Sequence, residues 1–252
     1  MSSQINFGYP WWLSYGHLVV LAIALLFWLL GRRRKWSRVL MLLIGAVTLW
    51  SAAAFFVTRF GLDVNGRLAL PTQAFLTSGA GRVLDMGAGT GRSTLMVLEA
   101  RPQTTVVALD LFAESYKQHF GAEQSGQERL LSNLKAAGVE QHASIQAGDM
   151  RKLPFEPATF DGVVSTYAID HLDREGINTA LGEAARVLKP GGQFLMMVIT
   201  KDSWLKFTFG PLLLHSGTAS AAWWTSRLQE AGLQVIEQGT RPATLYILAR
   251  KP

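Results

Sequence analysis

Residues 11–30 and 39–57 contain no Asp, Glu, Lys or Arg. Each run is close to the ~20 apolar residues that a helix needs to cross the hydrocarbon core of a bilayer. The link between them, 31–38, is short, and short links join antiparallel neighbours. Residues 1–60 are therefore expected to form a hairpin of two transmembrane helices. Trp11, Trp12, Tyr15 and Trp36 lie near the ends of the runs, where amphipathic rings settle at the membrane–water interface. Buried core helices show the same apolar pattern, but uncharged runs of this length fit a span better. A cleaved signal peptide is not expected, because no basic segment precedes the first run and a second run follows it. His17 admits two readings, a ligand or proton carrier and an interfacial helix contact. Its place near one end of the run favours the second.

The net charge of +6 arises from 24 Lys and Arg against 18 Asp and Glu. Seven of those bases and one of the acids fall within residues 1–67, so the rest of the chain is neutral. A neutral main domain does not suit nucleic acid as a partner. The absence of cysteine excludes disulfides, thiolate metal sites and a cysteine nucleophile. Arg32, Arg33, Arg34, Lys35 and Arg38 make the hairpin loop basic. The positive-inside rule would keep that loop in the cytoplasm and place both chain ends outside. A shallow hairpin in one leaflet, its loop resting on anionic head groups, keeps the loop and the main domain on one side.

Residues 61–81 read as a linker with a short helix over about 72–78. From residue 82 the pattern alternates. Strands are expected over 82–85, 105–110, 144–147, 160–165, 193–198, 235–238 and 244–249. Helices are expected over 92–100, 127–137, 174–188 and 219–231. This predicts an α/β domain over 82–252, a Rossmann-like, doubly wound and mostly parallel seven-stranded sheet, closed by a hairpin-like pair.

The first strand runs into the sequence DMGAGTGRS, with glycines at 87, 89 and 91. Glycines let a backbone approach a ligand closely, and the helix that opens behind them offers free N–H groups to an anion. Alone, this motif fits a dinucleotide site or a structural turn equally well. Asp110 ends the second strand about 20 residues on, where a carboxylate can accept from ribose hydroxyls. Gly148-Asp149-Met150 follows the third strand. There a carboxylate can accept from an exocyclic amine and a thioether can pack on a purine.

Together VLDMGAGTGRST, GDMRKLPFEPATFDGVVS and EAARVLKPGGQFLM resemble the class I methyltransferases that depend on S-adenosylmethionine (SAM), and in wording the ubiquinone/menaquinone and small-molecule subgroup. The resemblance spans about residues 68–252. It implies SAM as cofactor, with Asp85, Gly87, Ala88, Gly89 and Gly91 along its methionine part. It further implies Asp110 and Leu111 at the ribose, Asp149 and Met150 at the adenine, and Ser165 bordering the transfer site. LKPGG is implied to be a structural turn. A nicotinamide dehydrogenase does not account for GDMRKLPF followed by FDGVVS.

The loop after the fourth strand supplies candidate catalytic residues, Tyr167, Asp170 and His171, any of which can act as a base or orient an acceptor. Asp170 or Asp173 can instead cap the next helix while His171 packs on the sheet. His119, His142 and His215 lack metal-ligand spacing, and no metal site is expected. An apolar insert, Trp204, Phe207, Phe209, Pro211, Leu212, Leu213, Leu214 and His215, reads equally as a substrate lid, a bilayer-resting surface or a core helix. Trp223 and Trp224 read as packing residues. The sequence thus predicts a membrane-anchored methyltransferase acting on a small or lipophilic acceptor: quinone- or isoprenoid-like, a lipid head group or a small volatile nucleophile. A non-catalytic nucleoside-binding membrane module is the alternative. Because SAM is an intracellular metabolite, the domain is expected on the cytoplasmic side.

Overall fold

β1 (Ala80–Met86) is buried from Val83 to Met86 on both faces, the mark of a central strand in a parallel sheet covered on two sides. The computed structural model describes residues 4–63, 65–112, 125–200, 202–210 and 219–252. Among these, β1 is joined by β2 (Gln103–Asp110), β3 (Ala143–Ala147), β4 (Phe160–Thr166), β5 (Leu188–Ile199), β6 (Gln234–Arg241) and β7 (Thr244–Arg250). They form one seven-stranded sheet in the order β3-β2-β1-β4-β5-β7-β6. β1 to β5 pair in parallel, and β7 runs antiparallel to both β5 and β6. The sequence runs outwards from β1 to β3 on one side and from β4 to β5 on the other. β1 and β4 therefore flank the topological switch point, where open α/β sheets hold their ligands at the carboxyl ends of the strands. The domain is Rossmann-like and doubly wound, as the sequence predicts.

The helices begin where their caps dictate. α3 (Arg92–Ala100) starts at Gly91, and α4 (Gly126–Ala137) starts with a reciprocal Ser125–Glu128 capping box. α5 (Arg174–Val187) is capped by Asp173, which accepts the Gly176 N–H at 2.7 Å. Capping thus falls to Asp173 and leaves Asp170 to another role. α7 (Ala221–Glu230) sends Trp224 and Leu228 into the main core, and Trp223 meets Trp224 edge to face at 4.9 Å.

Two local expectations change form. The short helix expected over 72–78 is a run of turns. Side chains from elsewhere take the backbone groups a helix would pair internally. Gln193 accepts the Leu76 N–H at 2.7 Å and donates to the Ala74 carbonyl at 3.0 Å. Arg101 donates to the carbonyls of Gln73, Phe75 and Leu76. LKPGG, expected as a turn before the fifth strand, lies within β5 as an irregularity: Leu188 pairs with Phe160 and the register shifts before Gln193 meets Gly162.

The chain divides into two compact units, one of residues 1–8, 67–200 and 215–252, the other of 9–66 and 201–214. The second unit holds α1 (Trp11–Arg34) and α2 (Arg38–Phe56), the latter prolonged by a π-turn, Val57–Leu62. The turn between them is tight because Gly31 has no side chain: a Cβ there would sit 2.5 Å from the Met41 sulfur and 2.8 Å from Trp36. Both helices are long and apolar enough to cross a membrane. Little of either is buried within the structure; Leu42 is 74% and Leu49 75% exposed. A short helix from the insert after β5, α6 (Ser203–Phe209), belongs to this unit. Its last carbonyls, Phe207 and Thr208, accept from Trp50 Nε1 and His17 Nε2, each at 2.9 Å. The His17 ring meets those of Trp50 and Phe209 edge-on. His17 thus serves as a helix contact, and the described part of the insert packs with the hairpin helices. Pro211, Leu212, Leu213, Leu214, His215 and His119 lie outside the described residues.

Gln193 is buried and serves two backbone groups at once. Gln193→Ala is expected to lower stability by about 2–3 kcal/mol, the cost of orphaning those groups. Urea denaturation of the detergent-solubilised chain measures it, and an unchanged midpoint would remove this account of the 72–78 turns.

Candidate cofactor and acceptor site at the switch point

The glycine loop follows directly from β1. The N–H groups of Gly87 and Ala88 both donate to the Leu109 carbonyl of β2, at 2.8 and 3.0 Å, and Gly91 donates back to the Ala88 carbonyl at 2.8 Å. Gly87, Gly89 and Gly91 all adopt positive φ. At Gly87 the need is absolute. A Cβ would lie 2.3 Å from the Ala168 Cβ and 2.9 Å from the Met150 methyl group. Loops after β1, β3 and β4 thus converge on one missing side chain.

Carboxylates ring that point. Asp85 is fully buried at the end of β1; its Oδ2 accepts from Ser93 at 2.7 Å and Thr94 at 2.6 Å. Among the described residues its Oδ1 has no partner. Burial pushes this carboxyl up from the usual range to about 6, against the pull of the two hydroxyls and with a further push from Asp110. Holding the charge there at neutral pH costs about 3 kcal/mol. A buried, half-satisfied carboxylate of this kind fits a cationic ligand group.

Asp110 ties the loop to β2. Its two oxygens accept the N–H groups of Gly89 and Phe112, both at 2.9 Å, leaving further lone pairs for hydroxyl donors. Leu111 beside it is exposed. Asp149 is gripped by Arg151, whose Nε reaches both oxygens at 3.0 Å and whose Nη2 lies 2.7 Å from Oδ2. That ion pair holds the Asp149 carboxyl below the usual range. Ser165 is buried within β4, and its hydroxyl donates to the Met86 carbonyl at 2.9 Å. It fastens β4 to β1 beneath the loops.

The loop after β4 carries the acceptor-side candidates. Tyr167 has φ 52°, a strained conformation for a bulky side chain and of the sort that gathers at functional sites. Its N–H donates to Met197 at 2.8 Å and its hydroxyl lies 2.7 Å from Thr244 Oγ1. Asp170 follows on a 3-10 turn, Ile169–His171, and its Oδ2 accepts the Ile199 N–H at 3.3 Å. Its Oδ1 is buried with no partner among the described residues. Burial raises this carboxyl above the usual range, while nearby His171 and the Ile199 N–H pull it down. His171 itself is exposed. His142 ends a turn before β3, at the opposite edge of the sheet.

Sequence reasoning passed over Ser93, Thr94, Arg151 and Thr244. Of these, only the Asp149-x-Arg151 spacing offered a local signal. A pocket of about 510 Å³ lies at the amino ends of β1 and β2, lined by residues that include Gln73, Gly79, Arg101 and Gln103. Arg101 is already committed there to backbone carbonyls, and none of the groups above reaches that pocket.

Three glycines at positive φ, a carboxylate at or next to the end of each of the first two strands and a third just beyond β3 all lie at the switch point of this Rossmann-like sheet. Residues 83–192 match a methyltransferase domain family. A ubiquinone/menaquinone biosynthesis C-methyltransferase of Rhizobium leguminosarum is 37% identical over 117 residues, 46% of this chain and 40% of the relative. A protein of the same description from Syntrophotalea carbinolica is 30% identical over 144 residues, 57% of this chain and 54% of its own length. The chain thus spans about half the length of the relatives it matches, or less. A SAM-dependent methyltransferase from Aquifex aeolicus superposes with a TM-score of 0.51 at 16% identity, over 68% of this chain and 82% of that one, which shows the shared fold. Over residues 83–192 the chain is thus similar to methyltransferases, and it shares its fold with one that depends on SAM.

The raised pKa of Asp85 has opposite consequences with and without ligand. Without ligand the folded state favours protonated Asp85, so its contribution to stability is present at low pH and is lost as pH rises through about 6. A cationic ligand needs the carboxylate, so affinity for S-adenosylhomocysteine should fall as pH drops through about 6. Asp85→Asn should bind more weakly, with affinity flat over the same range. Calorimetry across pH checks this, and an unchanged pH dependence in the variant would separate Asp85 from the ligand.

Proposed function

We propose that this chain is a membrane-anchored methyltransferase that methylates a lipophilic small molecule, with a quinone-type ring as the favoured acceptor. The observation that carries the reading is the packing of the Tyr167–His171 loop directly against Gly87, with Ala168 filling the place of the absent side chain. Asp85, Gly87, Ala88, Gly89 and Gly91 would hold the methionine part of SAM, Asp110 and Leu111 its ribose, and Asp149 and Met150 its adenine, beside that loop. SAM supplies an electrophilic methyl group on a sulfonium. The chain must hold the acceptor in line and exclude water, and orientation of this kind is worth ~7–11 kcal/mol.

Asp170 is the proposed proton acceptor. Its unpaired buried oxygen and raised proton affinity suit removal of a proton from a phenolic hydroxyl. Tyr167, fixed through Thr244, positions the acceptor, and His171 tunes the charge on Asp170. The names of the relatives, which describe quinone C-methylation, support the choice of acceptor. The hairpin supports a bilayer setting. Its exposed apolar helices enclose a groove of about 480 Å³ lined by residues that include Val20, Ile23, Phe27, Leu40 and Val47. Residues 1–8 and 67–200 belong to one unit, and because SAM is made in the cytoplasm the proposed side for that unit is the cytoplasmic one. The basic loop then rests on anionic head groups of a leaflet that the hairpin enters without crossing, or lies on the far side.

The detergent-solubilised full chain is expected to form S-adenosylhomocysteine from SAM and a demethylated quinol. The rate should rise with pH through a value above the usual carboxylate range. Asp170→Asn should lower kcat by about 10²–10⁴-fold and abolish that rise. Binding of SAM with no turnover on any lipophilic acceptor would overturn the reading in favour of a nucleoside-binding membrane module.

A further inference from the structure

The segment just before α1 belongs to the methyltransferase unit, although the hairpin separates the two in sequence. Phe7 is 1% exposed, among the most deeply buried large side chains of the protein. Its carbonyl accepts from Thr90 Oγ1 at 2.9 Å, and Thr90 stands between Gly89 and Gly91 in the cofactor loop. Asn6 forms a reciprocal pair with Asn133 of α4: the Asn6 N–H donates to Oδ1 at 2.9 Å, and Nδ2 donates to the Asn6 carbonyl at 3.0 Å. The second Nδ2 hydrogen of Asn133 goes to the Thr90 carbonyl at 2.9 Å. Asn6 turns its own amide oxygen to the Gly8 N–H at 2.8 Å and to Arg129. The Arg92 guanidinium lies over the Phe7 ring at 5.9 Å.

One buried amide, Asn133, therefore holds both the strap formed by residues 6–8 and the cofactor loop, and Thr90 joins the two a second time. Both of its N–H donors and its carbonyl are engaged, and two of those three bonds end on the strap. Without the strap, Thr90 loses the acceptor of its hydroxyl and the Phe7 socket opens to water. Thr90 is then free to take other rotamers, and with it the Gly89–Gly91 backbone.

We propose that residues 6–8 are a positioning element for the cofactor: Phe7, through Thr90, and Asn6, through Asn133, keep the glycine loop in the shape that binds SAM. This rests on the cofactor reading of the loop and goes beyond it, because it assigns a role in cofactor affinity to a segment on the far side of the hairpin in sequence. The expected magnitude follows from the competent population. If the untethered loop is correctly shaped about one tenth of the time, apparent affinity falls about tenfold.

The test uses the full chain in detergent and the demethylated product S-adenosylhomocysteine as probe, so that no acceptor enters. Phe7→Ala and Thr90→Val should each weaken binding about tenfold, while Phe7→Leu stays within about threefold of the unsubstituted chain. Thr90→Val keeps the side-chain shape and serves should Phe7→Ala fail to fold. Hydrogen exchange of the cofactor-free chain should show faster exchange over residues 87–91 in Phe7→Ala and Thr90→Val. A purely structural role would lower the melting temperature and leave affinity and loop exchange unchanged in the folded variants, which overturns the proposal. Equal affinity in all chains overturns the strap alone; failure of the unsubstituted chain to bind overturns the strap and the cofactor reading together.

Discussion

One close approach governs the site. Gly87, the first residue past β1, meets Ala168 beyond β4 and Met150 beyond β3, with no room for a single methyl group. Parallel strands β1 and β4 bring these loops together because the chain reverses its direction of winding between them. The carboxylates Asp85 and Asp110 follow from the same register, each at or next to the end of its strand. The Ser165 hydroxyl, fastened to Met86, sets how far the two strand ends stand apart.

The site holds unspent polar capacity in two places, Asp85 Oδ1 and Asp170 Oδ1. Such groups cost stability, and their cost is offset when a ligand supplies the missing partner. Asp85 lies two residues before Gly87, near the end of β1. Asp170, near the end of β5, sits on the side where Tyr167 and Thr244 meet. Two carboxyls raised by burial near one glycine cradle suit the proposed reaction, which needs a cation held and a proton taken.

Much of the domain was legible because its signals are local. β-branched runs ending in Asp or Gly gave the strands to within a few residues, and Gly138 and Asp173 marked helix ends that the structure uses. What escaped the sequence depends on distant partners. Nothing around 72–78 announces that Gln193 and Arg101 will take its backbone groups, so a helix was the natural expectation. Nothing around Ser165 announces that its hydroxyl will donate to the Met86 carbonyl of β1. The attachment of α6 to His17 and Trp50 pairs residues more than 150 positions apart. Asn6 and Phe7 precede an apolar run and carry no pattern of their own; their docking depends on a cavity built by α4 and the glycine loop.

The most direct measurement adds one methyl group at the switch point. Gly87→Ala, folded as judged by circular dichroism, should lose at least about 100-fold in affinity for S-adenosylhomocysteine by calorimetry, because the new Cβ and the left-handed backbone both oppose the loop geometry. Affinity within about twofold of the unsubstituted chain would contradict the account, since the convergence of the three loops on Gly87 would then have no part in holding the ligand.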